Sequence, residues 1–270
     1  IIGSGFCPNR LQAFHFQGLI TNCLINSRAI KTVDFYKILS VFMYIMFIPV
    51  FLFAAIIMIT ASLLYFPLFY KLDKICCRLI MSSLLVWPRL NGVFPSDGTY
   101  IIMMNHSSFI DVFIFPLIPK GIYSGVTAVE NFKIPVFSTI IKRIQAIPVE
   151  RKNRFAAIES IKKAEEVLKK GVHIGILPEG TRTVDGNIGD MKKGGFHMAI
   201  NTGISIIPVG VSGAFNFKPK NRWWFRPGPI TINIGDAINP NIYGELGVDG
   251  LKNMVGQALK TLSGGINETE

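Results

Sequence analysis

The residues best suited to proton transfer in this chain lie in Asn105-His106-Ser107-Ser108-Phe109-Ile110-Asp111, a histidine followed at a short interval by an aspartate. A carboxylate on one imidazole nitrogen selects the tautomer and leaves the other nitrogen as a proton acceptor, the layout of a general base. Within one straight helix this offset would set the two side chains about 140° apart. The pair therefore needs His106 outside a helix and Asp111 in its first turns. The local pattern offers that arrangement. A turn signal, Pro95-Ser96-Asp97-Gly98, precedes an apolar run at 100–104 that reads as a short buried strand. Ser107 or Ser108 then offers an N-cap for a helix. A histidine where a strand ends and a helix begins sits at the sheet edge where open α/β folds place ligands. The same pair would also serve as a simple capping contact, and its spacing alone does not choose.

Other turns follow apolar runs in the same way. Ile174-Gly175-Ile176-Leu177 leads into Pro178-Glu179-Gly180-Thr181-Arg182. Gly180 permits an unusual backbone turn, Thr181 offers a hydroxyl, and Arg182 offers a planar fork of donors suited to phosphate. The run 144–149 ends in Glu150-Arg151, followed by Lys152 and Arg154, and Ile206-Ile207-Pro208-Val209 is a strand broken by a proline. Each has an ordinary structural reading. Arg151 can open a helix in solvent, the 178–182 turn can be only a turn, and Pro208 can mark an edge strand. Their order after successive strands is what sends them to one rim of one sheet.

The positioning elements follow from the pattern. Runs at 100–104, 123–129, 172–177, 205–211 and 230–234 read as strands and alternate with helical stretches. This predicts an α/β fold with a mostly parallel sheet covered by helices. The clearest helix is 154–170, with Phe155, Ile158, Ile161 and Leu168 on its apolar face and Gly171 as its stop. Residues 38–70 carry no charge. As one helix they would run roughly 50 Å, whereas a bilayer core of about 30 Å needs about 20 residues. Pro49 and Pro67 leave two forms open, a single tilted spanning helix or a kinked pair dipping into one leaflet. The organisation expected is an unassigned segment 1–35, a membrane-associated helical segment 36–88, a catalytic α/β domain 89–262 and a tail 263–270.

Bulk properties agree with a membrane-bound protein. Half of the 270 residues are apolar, and the mean hydropathy of +0.41 is high for a soluble chain. A formal charge of +11 favours anionic partners such as phosphorylated substrates or anionic lipid. No nucleic-acid motif appears, and the long apolar run argues against that partner. Cys7, Cys23, Cys76 and Cys77 have no metal-ligand spacing, so no metal is expected, and a reducing compartment is the default.

Taken together, these motifs resemble the glycerolipid acyltransferase family, and within it the bacterial 1-acyl-glycerol-3-phosphate acyltransferases. Asn105-His106-x4-Asp111 matches the first motif, and Glu130-Asn131-Phe132-Lys133-Ile134-Pro135 leading to Arg151 resembles the second block. Pro178-Glu179-Gly180-Thr181-Arg182 matches the third motif and Ile206-Ile207-Pro208-Val209 the fourth. The segment Met191-Lys192-Lys193-Gly194-Gly195-Phe196-His197 resembles the basic stretch after the third motif. The likeness covers about residues 80–240. Two positions depart from it. Gln145 or Ala146 stands where the family usually has glycine, and Ala128 and Val129 stand where it often has lysine. Both lie near the expected phosphate site, so they bear on the substrate more than on the reaction.

The resemblance implies acyl transfer to the free hydroxyl of 1-acyl-glycerol 3-phosphate, from acyl-CoA or acyl carrier protein, giving phosphatidate. His106 would be the general base and Asp111 its orienting partner. Arg151, Arg182, Lys192 and Lys193 would hold the phosphate. Glu179, Gly180, Thr181 and Pro208 would shape the substrate site, with Asn105 and Pro178 supporting the turns. No bound cofactor is implied. The expected partners are the lysophospholipid, the acyl donor and an anionic bilayer, with the catalytic domain on its cytoplasmic face. Acylation of glycerol 3-phosphate, another lysophospholipid or an ornithine-type lipid stays open, as does lipid binding without catalysis.

Overall fold

The computed structural model describes residues 9–150 and 153–264. The chain begins with helix α1, Asn9–Leu64, which runs through Pro49 without ending. The backbone breaks at Tyr65, whose extended conformation caps α2, Phe66–Ser83, with proline in its first turn. There the missing proline N–H costs no helical hydrogen bond. Of the two prolines only Pro67 marks a boundary. Residues 32–64 are long and apolar enough to cross a membrane, with a mean hydropathy of 2.7 in their best window. One face of this stretch, including Ser40, Met43, Ala54, Ala55, Met58 and Ala61, is buried. The other exposes Phe35, Ile38, Phe42, Ile45, Phe53 and Ile56. The small alanines let α2 approach closely, and α2 returns Phe69, Cys76, Cys77, Ile80 and Met81 at helical spacing.

The remaining chain forms one sheet from β1 (Arg89–Asn91), β2 (Ile101–Met104), β3 (Tyr123–Ala128), β4 (Ile147–Val149), β5 (His173–Ile176), β6 (Ile206–Ser212) and β7 (Thr231–Ile234). The strand order is β1-β7-β6-β2-β5-β3-β4. Only β6 and β7 pair antiparallel. The expected mostly parallel sheet is borne out. Central β2 is buried on both faces, as its unbroken apolar run requires. Its side chains alternate all the same. Ile102 and Met104 join the core under α1, α2 and the short helix α3, Asp111–Ile114. Ile101 and Met103 join the opposite core. That second layer is roofed by α5 (Arg154–Lys169), α6 (Gly194–Thr202) and α9 (Gly247–Leu262). Three shorter helices, α4 (Phe137–Arg143), α7 (Ala214–Phe217) and α8 (Pro240–Tyr243), fill connections.

Two local expectations change. Neither Ser107 nor Ser108 caps α3, whose N-cap is Ile110; the Asp111 carboxylate draws in the serine N–H groups instead, as described below. The apolar face read for α5 holds only in part. Asn153 caps the helix by accepting from the N–H groups of Phe155 and Ala156, but Phe155 is 85 % exposed and Ile158 is 48 % exposed. The face that packs carries Ser160, Ala164 and Leu168, with Ile161 against the same core, so the expected face holds at Ile161 and Leu168 and fails at its N-terminal end.

Candidate active site

β2 ends at Met104, and the next residues turn over the C-terminal edge of the sheet. Asn105 secures the turn to the neighbouring strand. Its amide donates to the Val211 carbonyl at 3.0 Å and accepts from the Val211 N–H at 2.7 Å. Beyond it, Asp111 gathers the loop around one oxygen. Oδ2 accepts from the backbone N–H of Ser107 at 2.8 Å and of Ser108 at 2.9 Å, and it lies 2.9 Å from His106 Nδ1. A carboxylate can only accept here, so Nδ1 carries the proton and Nε2 is left with its lone pair. The Asp111 side chain is 1 % exposed and that of His106 is 18 % exposed, so the base is reachable and its orienting group is not.

The 178–182 turn locks onto the same histidine from the adjacent strand. Glu179 Oε1 accepts from the His106 N–H at 2.7 Å, and its Oε2 accepts from the Gly189 N–H at 2.9 Å. The Thr183 N–H in turn donates to the His106 carbonyl. Burial pushes the Glu179 carboxyl up, opposed by these two N–H donors and by the nearby imidazole. Glu179 thus works as a clamp on the backbone that carries the base. Gly180 makes the turn at φ +70°, the left-handed region that side chains disfavour. Pro178 is buried and its carbonyl accepts from the Lys192 N–H.

The remaining expected residues divide. Arg182 and Thr181 stand on the clamped turn, next to Thr183, whose N–H reaches the His106 carbonyl. Lys192 is exposed next to Gly180, whereas the Lys193 ammonium is paired with Asp249 of α9. Pro208 is buried in β6, in register with Met103, and its carbonyl accepts from the Gly235 N–H. It lies inside the sheet rather than on an edge strand and adds no hydrogen bond to the His106 cluster. Arg151 and Lys152 lie outside the described residues. Gln145, at a position where glycine had been expected, adopts φ +53°. The glycine-type backbone survives there without the glycine, and the Ser124 hydroxyl holds the Gln145 carbonyl at 2.8 Å.

One contributor went unread in the sequence. The Ser108 hydroxyl donates to the Lys218 carbonyl at 2.9 Å, tying the loop after α7 to the His106 turn. The Lys218 ammonium sits 5.7 Å from the centre of the Phe109 ring, and Lys220 Nζ reaches Thr181 Oγ1 at 3.4 Å. The available signal was Lys218-Pro219-Lys220-Asn221-Arg222 shortly after a strand of the same sheet, the criterion that singled out the other turns. The neighbouring aromatics are largely structural. Trp224 stacks on Tyr36 of α1 and under Arg222, Phe225 is buried, and Trp223 is 52 % exposed. Among the described residues no group of histidine, cysteine or carboxylate side chains could hold a metal.

Comparison with known proteins places this arrangement. Residues 89–212 match the family model described as Acyltransferase. A 1-acyl-sn-glycerol-3-phosphate acyltransferase of Cocos nucifera is 34 % identical over 158 residues, 58 % of this chain and 51 % of that protein. One from Pseudomonas aeruginosa is 29 % identical over 143 residues, 52 % of this chain and 54 % of that protein. The chain thus spans about half the length of these curated relatives. The fold is that of the crystal structure of the 1-acyl-sn-glycerophosphate (LPA) acyltransferase PlsC from Thermotoga maritima. The TM-score is 0.73 at 22 % identity, covering 87 % of this chain and 98 % of that one.

Proposed function

We propose, from the match of residues 89–212 to the family model described as Acyltransferase, that the protein transfers a fatty acyl group to the free hydroxyl of 1-acyl-glycerol 3-phosphate, yielding phosphatidate. The observation that carries this reading is the His106–Asp111 pair, with a proton-bearing Nδ1 on a buried carboxylate and a bare Nε2 at the sheet edge. Nε2 takes the proton of the acceptor hydroxyl as its oxygen attacks the thioester carbonyl of acyl-CoA or acyl carrier protein. The tetrahedral intermediate collapses, the C–S bond breaks, and the departing thiolate takes the proton from the imidazolium. Asp111 stabilises that imidazolium, as the carboxylate does in hydrolytic triads. No covalent acyl-enzyme is required, since the thioester arrives activated.

Arg182, with Lys192 beside it, faces the acceptor phosphate in this reading, and a guanidinium fork suits that group. Lys193 is the weaker candidate because Asp249 already holds it. Both acceptor and product are bilayer lipids. The apolar face of residues 32–64 supports anchorage there, with the +11 charge drawing the protein to an anionic, cytoplasmic leaflet. The test is acyl transfer from labelled oleoyl-CoA by membranes containing the protein, with lysophosphatidate, glycerol 3-phosphate and lysophosphatidylglycerol as acceptors. Phosphatidate formed from lysophosphatidate and abolished in His106→Ala is the expected result. Activity of His106→Ala near the wild-type level, in folded protein, would sink the mechanism.

A further inference from the structure

Four cations gather on the two segments tied to the His106 turn: Arg182 on the 178–182 turn and Lys218, Lys220 and Arg222 on the loop after α7. Among the described residues none of them forms an ion pair with a carboxylate. Arg222 is spent structurally, donating to the carbonyls of Asn216, Phe217 and Trp224. It forms a scaffold that presents the other two. Lys218 uses one donor on the Arg222 carbonyl at 2.8 Å and rests over Phe109, which leaves two ammonium protons free. Among the described residues, the Lys220 ammonium has one hydrogen-bond contact, the Thr181 hydroxyl. Burial, then the charges of Arg182 and Arg222, hold the Lys218 ammonium below its ordinary range. Like charges are thus held together by bonds to backbone, with nothing described to neutralise them. A bound anion relieves that crowding.

The position of the cluster says which anion. The loop is tied to Ser108, the turn is tied to the backbone of His106, and Lys220 bridges loop and turn. The anion therefore belongs to the molecule whose hydroxyl His106 deprotonates. In the second block, Ala128 and Val129 stand where the resemblance leads to a lysine, so that position supplies no charge. We propose that Lys218 and Lys220 close the phosphate site from the 218–222 loop, opposite Arg182, and that this three-cation grip selects a phosphate monoester over a diester. The inference rests on the acyltransferase reading for what is bound, and adds the residues and the headgroup class. A monoester carries about −1.5 to −2 charge at neutral pH and three acceptor oxygens, against one charge for a diester. The second charge is what the lysines reward.

Two measurements test this. In the transfer assay, Lys220→Gln and Lys218→Gln should each raise the KM for lysophosphatidate about tenfold, and the double variant more, with kcat little changed and the KM for acyl-CoA unmoved. Lys218→Arg should restore much of the loss. A KM shift confined to acyl-CoA would reassign the lysines to the donor's phosphates and overturn the proposal, as would unchanged kinetics in the double variant. Lys218 also braces its loop, so the exposed Lys220→Gln alone keeps the test valid if Lys218 variants misfold. The second measurement is equilibrium binding to His106→Ala protein in detergent. Lysophosphatidate should bind more tightly than lysophosphatidylglycerol, and the difference should shrink in Lys220→Gln. This arm reads the headgroup without catalysis. Equal binding of the two lipids sinks the cluster's role even where transfer is confirmed, and preferential binding without transfer sinks the catalytic reading alone. Comparing glycerol 3-phosphate with lysophosphatidate in both assays separates a soluble monoester from a lipid one.

Discussion

Two histidines sit at opposite ends of two paired strands and have opposite fates. His173 begins β5 and meets Tyr100, the residue just before β2. Its Nδ1 accepts from the Tyr100 N–H at 3.1 Å and its Nε2 donates to the Lys120 carbonyl at 2.9 Å. Phe94 and Tyr100 pack on its ring. It is 5 % exposed, and burial pulls its pKa down, so it stays neutral and fully occupied. His106 follows β2 at the other edge, with one nitrogen on Asp111 and the other open. The same side chain is mortar at one end of the sheet and a reagent at the other. In a parallel sheet the loops that follow strands gather at the C-terminal edge, and an imidazole there meets turns rather than the next strand's backbone.

The sharpest way to break this contrast is to remove each ring. His106→Ala should lower kcat by at least about 100-fold while leaving the thermal unfolding midpoint near that of wild type. His173→Ala should do the reverse. It removes the partner of the part-buried Tyr100 N–H and of the Lys120 carbonyl and should lower the unfolding free energy by about 1–3 kcal/mol in all, with kcat intact in the protein that folds. Loss of turnover in folded His173→Ala would erase the distinction. Asp111→Asn should cost about as much turnover as removing the base, since an amide no longer enforces the Nδ1–H tautomer and leaves Nε2 unready. Arg182→Ala should act on the KM for the phosphorylated acceptor, and an unchanged KM would remove the role given to it.

A smaller effect belongs to α2, whose Asp73 is buried with hydrogen bonds from Tyr123 and Cys77. Desolvation raises its pKa to about 7 from an ordinary 3.8, against lowering by the Cys77 bond and by Lys74. The folded state therefore keeps this proton through a range in which the unfolded chain releases it. Stability is greatest below the ordinary value, falls as pH rises toward about 7, and levels above it. Asp73→Asn should flatten this slope in unfolding midpoints measured from pH 5 to pH 8, with Tyr70, Tyr123, Cys77 and Lys74 as its charged or titratable neighbours. Smallest of all, Gln145→Gly should relieve a left-handed residue. The gain of about 1 kcal/mol is largely offset by the greater entropy that glycine loses on folding.

β2, β5 and β6 were readable because strands buried on both faces leave short apolar runs, while β3 and β7 fall where mixed runs bounded by turn residues placed them. Exposed β1 was not read, since Arg89–Asn91 carries no apolar pattern and becomes a strand only by pairing with β7. The apolar face of α5 was drawn from periodicity alone, and periodicity does not say how far the sheet extends beneath a helix. Asn105, Glu179 and the serines were legible as members of motifs but not as a hydrogen-bond frame. Lys218 and Lys220 carried a signal, yet nothing local ranks one basic turn above another.

What the amino-acid sequence determined by itself is the inventory: a proton acceptor with a carboxylate partner, a phosphate-type arginine after a glycine turn, a long uncharged helix and an alternating α/β pattern. Each follows from residue type and near-neighbour spacing, where steric and hydrophobic preferences act locally. Tertiary structure alone decided which groups face one another. Glu179 meets the His106 N–H, Asn105 meets Val211, and Ser108 meets Lys218. These contacts join residues far apart in the chain, and their partners are chosen only when strands pair in register and the helices cover the sheet.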